Sequence, residues 1–63
     1  MIAMRVKVTY YNSFNELETD TLDFIHKIDI YVSDNKKYIE FIRKSTVKFR
    51  YCYDDVKEIT ISK

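Results

Sequence analysis

The pattern that decides the fold runs through Ile2-Ala3-Met4-Arg5-Val6-Lys7-Val8-Thr9-Tyr10. Every second residue of this stretch, from Ile2 to Tyr10, is apolar, and the residues between them, after Ala3, are charged or polar. A period of two is typical of a β-strand with one buried face and one solvated face. Because the same alternation returns in residues 47–53, we expect a mainly β protein with antiparallel strands.

The rest of the chain divides by the same period. Residues 22–32 alternate again, with the series Leu22, Phe24, His26, Ile28, Ile30 and Val32 in one frame. Residues 33–36, Ser-Asp-Asn-Lys, predict a hairpin turn, and Ile39 and Phe41 share the next apolar face. Turns are also expected at residues 12–15 and 44–46, and a 3₁₀ turn is expected at 54–57. A short last strand at 59–61 completes five strands.

Five strands in 63 residues predict one domain, residues 1–63, folded as a small five-stranded antiparallel meander or an SH3-like partly open barrel. The alternative is an α+β fold with one helix at about 13–27 packed on the sheet. Ser13 and Glu16 have the spacing of a helix-capping box, and Leu17, Phe24 and Ile28 fall on one helical face. Thr19, Asp20 and Thr21 oppose this alternative because they are poor helix formers.

A chain this short gains limited stability from its core, so other stabilising devices matter. Cys52 is its one cysteine and His26 its one histidine, which leaves neither a disulfide within the chain nor the ligands of a structural zinc site. Self-association remains, and we therefore expect a homodimer.

Catalysis is not expected. The chain contains no glycine, and phosphate-binding loops require glycine, so we expect no cofactor and no small-molecule substrate. Cys52 has no activating base nearby in sequence, His26 lies on an apolar strand face, and Asp54 and Asp55 suit a turn better than a metal. A lone thiol, no export signal and no membrane-spanning apolar stretch predict a cytoplasmic protein.

The formal net charge of +1 conceals two blocks of opposite sign. Residues 12–35 carry six acidic side chains and one basic side chain, whereas residues 36–50 carry six basic side chains and one acidic side chain. The simplest interpretation is that the two blocks face each other within the chain or pair across a dimer, since charge runs are usually solvated surface.

Our main functional hypothesis is a non-enzymatic protein that binds another protein, such as a phage or mobile-element regulator or inhibitor of host machinery. Tyrosine is enriched at protein interfaces, and alternation places three tyrosines on the solvated face. The predicted contact residues are these tyrosines and a nearby acidic group: Tyr11, Tyr31, Tyr38, Glu16, Glu18, Asp20 and Asp23.

The alternative hypothesis is a small nucleic-acid-binding barrel. Small barrels often bring the first strand near the fourth or the fifth. The basic side chains of the first and fourth strands would then form one surface next to tyrosine rings on which bases can stack. The residues predicted for this surface are Arg5, Lys7, Arg43, Lys44, Lys48 and Arg50.

Overall fold

The computed structural model describes residues 3–44 and 47–63 and confirms a mainly β fold. In chain order its strands are β1 Met4–Tyr11, β2 Leu17–Ser33, β3 Lys36–Arg43, β4 Lys48–Cys52 and β5 Val56–Ser62. A 3₁₀ turn, Tyr53–Asp55, precedes β5, close to the predicted 54–57. Ile2 of the first predicted strand, and Ser45 and Thr46 of the predicted turn, lie outside the described residues.

The five strands form one open antiparallel sheet in the order β4-β3-β2-β1-β5. Strands β1 to β4 form a meander, and β5 returns to pair with β1. The first strand therefore has the fifth as its neighbour and not the fourth, which matters for the predicted basic surface.

Strand β2 is the longest element, with 17 residues, and it joins the two halves of the sheet. Its first part pairs with β1 up to Ile25, and its second part pairs with β3 from Ile25 onward. The register shifts on both sides of Ile25, so β2 carries extra residues in β-bulges there. Bulges bend a strand and increase its twist, and the two halves of the sheet consequently curve around a shared core.

Contacts across the core show this curvature. The rings of Tyr10 on β1 and Tyr51 on β4 lie 5.0 Å apart, although their strands are not neighbours. The Tyr51 hydroxyl donates a hydrogen bond of 2.9 Å to the Asp20 carboxylate on β2. Side chains from the two ends of the meander therefore meet inside the curved sheet.

The alternative of a helix at 13–27 is wrong, because these residues form a turn and most of β2. The Asn12 side chain explains the difference: its carbonyl oxygen accepts hydrogen bonds from the backbone N–H groups of Phe14, at 2.9 Å, and Glu16, at 3.0 Å. Asn15 takes a positive φ of 61°, which asparagine tolerates. The turn is thereby closed by Asn12 and leads into a strand in which threonine is favoured.

The buried core consists of Val6, Val8, Leu22, Ile25, Ile39 and Phe41. Alternation predicted these positions on β1 and β3. On β2 it predicted Phe24 in the frame of Leu22, and this is wrong, since Phe24 is 69% exposed and Ile25 is fully buried. The bulge shifts the frame by one residue, and it holds Phe24 at a φ of 62°, in the left-handed region.

Replacing Phe24 with glycine is expected to stabilise the fold. A left-handed conformation costs a residue with a Cβ about 1–2 kcal/mol, and glycine avoids this cost while adding back about 0.5–1 kcal/mol of chain entropy. We expect Phe24→Gly to raise the free energy of unfolding by about 0.5–1 kcal/mol, measured by urea denaturation. The control is Phe14→Gly, at another exposed phenylalanine, which should bring no gain. Equal effects of both variants would contradict this account of the bulge.

Candidate functional site

The outer face of the sheet, on the side opposite the core, carries a group of planar side chains on β2, β3 and β4. Tyr31 pairs directly with Tyr38, and their rings lie 5.7 Å apart at an angle of 33°. The guanidinium carbon of Arg50 lies 4.8 Å from the centre of the Tyr38 ring. These three residues, which we call the tyrosine–arginine stack, form a continuous row across three strands.

Hydrogen bonding and charge hold the stack in place. The Tyr31 hydroxyl donates to the Glu40 carboxylate at 3.4 Å, and Glu40 pairs directly with Arg50 on the neighbouring strand. The same hydroxyl is the main cause that raises the pKa of Arg50 above its ordinary value. The stack and the neighbouring Glu40 therefore place a cation, a carboxylate and two rings together on the outer face.

The third predicted tyrosine does not belong to this group. Tyr11 lies at the end of β1 and pairs with Leu17, at the start of β2. Tyr31 lies near the other end of β2, and a bend in that strand intervenes. The three tyrosines share the outer face, but the structure divides them between its two ends.

The predicted acidic residues are mostly engaged within the protein. Glu18 accepts a hydrogen bond of 2.6 Å from the Asn12 amide, and Asp20 accepts one from Tyr51. Asp23 forms a 2.6 Å ion pair with Arg5. Glu16 lies exposed in the turn before β2.

The predicted basic residues do not form one surface. Arg5 and Lys7 lie on the outer face of β1, whereas Lys48 and Arg50 lie on that of β4, with β2 and β3 between them. The ion pair with Asp23 partly neutralises Arg5, but Arg5 lies outside the basic block of residues 36–50, so this pair does not join the two charge blocks.

The remaining two basic residues lie at the end of β3 and in the bend after it. Arg43 donates a hydrogen bond of 2.8 Å to the backbone carbonyl of Asp23, and its guanidinium carbon lies 5.0 Å from the centre of the Phe49 ring. Lys44 is exposed in the bend that follows β3. Arg43 therefore supports the bend of β2, and Lys44 alone of this pair faces the solvent freely.

Sequence reasoning missed an exposed apolar strip on the β2–β3 hairpin. Ile30 and Val32 were assigned to a buried face, but they are 52% and 68% exposed. They point to the core side of the sheet at a place that β1 does not reach, since its last partner on β2 is Ile25. The sequence signal for this strip was the length of the alternating run in β2, which exceeds the length of the neighbouring strand β1.

Other candidate centres contribute little. Cys52 is half-buried on β4, opposite Tyr38, and Asp54 and Asp55 form the 3₁₀ turn. Within residues 3–44 and 47–63, no three acidic, histidine or cysteine side chains come close enough together to hold a metal ion. A surface depression beside β5 has a volume of about 210 Å³, below the roughly 300–1,000 Å³ of ligand pockets.

Comparisons with known proteins give no relative. No protein-family model, no curated protein sequence and no solved structure matches this chain. The described part of the chain also contains no helix with the length and apolar character needed to cross a membrane. Functional inference therefore rests on the surface itself.

Proposed function

We propose that this protein is a non-enzymatic binding module that docks on another protein through the tyrosine–arginine stack. The observation that carries the proposal is the row of Tyr31, Tyr38 and Arg50 on a solvated sheet face, with ring and guanidinium separations of 5.7 and 4.8 Å. Tyrosine and arginine are the residue types that most often dominate binding energy at protein interfaces.

The rigidity of the stack supports this role. Side chains that move freely lose about 0.5–1.5 kcal/mol each when an interface immobilises them. Tyr31 and Tyr38 already contact each other, and Glu40 holds the Tyr31 hydroxyl. A partner that covers the stack would thus bury two rings at a reduced entropic cost and find a donor, Arg50, and an acceptor, Glu40, at its edge.

The wider role that we propose is that of a cytoplasmic regulator or inhibitor of the kind that phages and mobile elements direct against host machinery. Small size and an outer face that carries the tyrosine–arginine stack support it. Of the predicted contact residues, Tyr31 and Tyr38 are central to this proposal, whereas Glu16 lies near Tyr11 at the opposite end of the sheet and is not part of it.

Paired substitutions test the site. We expect Tyr31→Ala with Tyr38→Ala to weaken binding to a captured host protein by at least about tenfold, or 1.4 kcal/mol, as for loss of hot-spot residues. Tyr11→Ala is the control, because it removes a tyrosine from the same face at the opposite end. Affinity is measured by calorimetry, and circular dichroism verifies that each variant is folded.

Two outcomes would contradict the proposal. One is equal binding by the double variant and the control. The other is tight binding to single-stranded oligonucleotides that falls steeply with salt and depends on Lys48 and Arg50, because such a result marks phosphate recognition and favours the nucleic-acid alternative.

A further inference from the structure

The second half of β2 has an edge that residues 3–44 and 47–63 leave unpaired. Met4 pairs with Ile25, and β2 continues for eight residues beyond it to Ser33. On that side, no residue of the described ranges pairs with β2 after Ile25, while β3 covers the opposite side as far as the turn. Residues 28–32 of β2, which we call the hairpin edge, therefore offer backbone groups to an additional strand.

The register of the hairpin identifies those groups. Asp34 and Asn35, with φ of 52° and 64°, form a two-residue turn of type I′, and Ser33 pairs with Lys36 beside it. The residues that flank such a turn exchange hydrogen bonds, and bonded and non-bonded pairs alternate from there. By this alternation, the N–H and C=O groups of Ile28, Ile30 and Val32 point away from β3.

The side chains at the hairpin edge are apolar on the core side of the sheet. Ile30 and Val32 are half or more exposed, and Ile28 packs at the margin of the core. Both exposed side chains lie at a strand edge that the described residues leave open, so an added strand would cover them.

We propose that the hairpin edge binds a second copy of this chain, strand to strand and antiparallel, with the two-fold axis passing between the two Ile30 residues. This register places Ile28 opposite Val32 of the second copy and Asp29 opposite Tyr31 of the second copy. It pairs the outward backbone groups of three residues from each copy, joins the two apolar strips, and sets no like charges opposite one another.

The outer edges of β4 and β5 suit a second copy less well. A full antiparallel pairing of β4 with itself places Arg50 opposite Arg50, and directly opposed like charges are destabilising. Strand β5 changes register between Thr9 and Tyr10 of its partner β1, so its edge is bulged. Bulges are a common device that protects an edge from pairing.

The dimer does not depend on the proposed docking function. It would nevertheless extend the outer face across both copies, in the strand order β4-β3-β2-β2-β3-β4, with a tyrosine–arginine stack on each side of the axis. Each copy then contributes one binding surface to the same side of one sheet.

Charge substitutions at the axis test the dimer. We expect wild type to be a dimer by sedimentation equilibrium at about 0.1 mM, and Ile30→Lys to raise the dimer dissociation constant by at least about tenfold. Ile61→Lys is the matched control, since Ile61 is a 48%-exposed isoleucine on the edge strand β5. A monomeric wild type, or a dimer broken by Ile61→Lys and not by Ile30→Lys, would overturn the proposal.

A mixing experiment removes any ambiguity from misfolding. Ile30→Lys and Ile30→Glu should each be monomeric alone, yet form a heterodimer when mixed, because only a two-fold axis at this residue sets the new charges directly opposite each other. Ile61→Lys mixed with Ile61→Glu should behave as wild type. If the two Ile30 variants remain monomeric when mixed and both are folded by circular dichroism, the axis is not at Ile30.

Discussion

Phe41→Ala is expected to remove about 3–5 kcal/mol from the free energy of unfolding, a third or more of the protein's total stability. Phe41 is fully buried in the centre of β3 and makes an edge-to-face contact with Tyr51, with ring centres 5.8 Å apart. Removing a buried phenylalanine costs about 3–5 kcal/mol, whereas a chain of this length has a total stability of roughly 3–9 kcal/mol. Far-ultraviolet circular dichroism in a urea titration measures the loss.

Phe14→Ala is the control for this prediction. Phe14 is 81% exposed in the turn before β2, so the same deletion should change stability by less than about 0.5 kcal/mol. A Phe41→Ala protein that kept a urea midpoint close to that of wild type would show that the core described here is not the stabilising one.

Tyr51→Phe is expected to have the second largest effect. The Tyr51 hydroxyl donates to Asp20 at 2.9 Å, and this bond joins β4 to the first half of β2 across the core. A hydrogen bond to a charged group contributes about 1.5–3 kcal/mol, and without it the half-buried Asp20 carboxylate loses one of its two tyrosine partners, Tyr51 and Tyr10. The measurement is the free energy of unfolding at pH 7, with Tyr11→Phe as the control at a largely exposed tyrosine.

The same bond predicts a dependence on alkaline pH. Burial, and next the hydrogen bond to Asp20, raise the pKa of Tyr51 above its ordinary value. A group whose pKa is higher in the folded state contributes stability that is complete below its unfolded pKa, about 10 for tyrosine, and is lost as pH rises through the folded pKa. The free energy of unfolding of the wild type should therefore fall above about pH 10.

The Tyr51→Phe variant should lose less stability over that pH range than wild type. It should still lose some, because burial also raises the pKa of Tyr10. Parallel urea midpoints for wild type and variant from neutral to alkaline pH would show that the Tyr51 hydroxyl has no part in the linkage.

Most of the fold could be predicted because side-chain period reports directly on strand faces. Val6, Val8, Ile39 and Phe41 were placed correctly, since β1 and β3 keep one unbroken frame over the paired core. Strand β2 could not be placed as well, because the frame changes at a bulge. The location of this bulge depends on the bend that brings β1 and β3 to opposite ends of β2, and no local sequence pattern encodes that bend.

Part of the candidate site could also be predicted from the side-chain period. The rest could not, because it depends on the bend of the sheet. Alternation placed Tyr31 and Tyr38 on the solvated face, and the hairpin turn set them opposite each other. The bond from Tyr51 to Asp20 links residues 31 positions apart and exists only because the sheet curves. The assignment of Asp20 to an outer contact surface overlooked that link.

The residues with positive φ also affect the conformational entropy that the chain loses on folding. In the described part of the chain, the positive-φ positions are held by Asn15, Phe24, Asp34 and Asn35, in a sequence that has no glycine at all. Residues with a Cβ have fewer accessible backbone states in the denatured ensemble than glycine has. Each such position therefore loses less conformational entropy on folding than glycine would, which offsets part of the cost of its left-handed conformation.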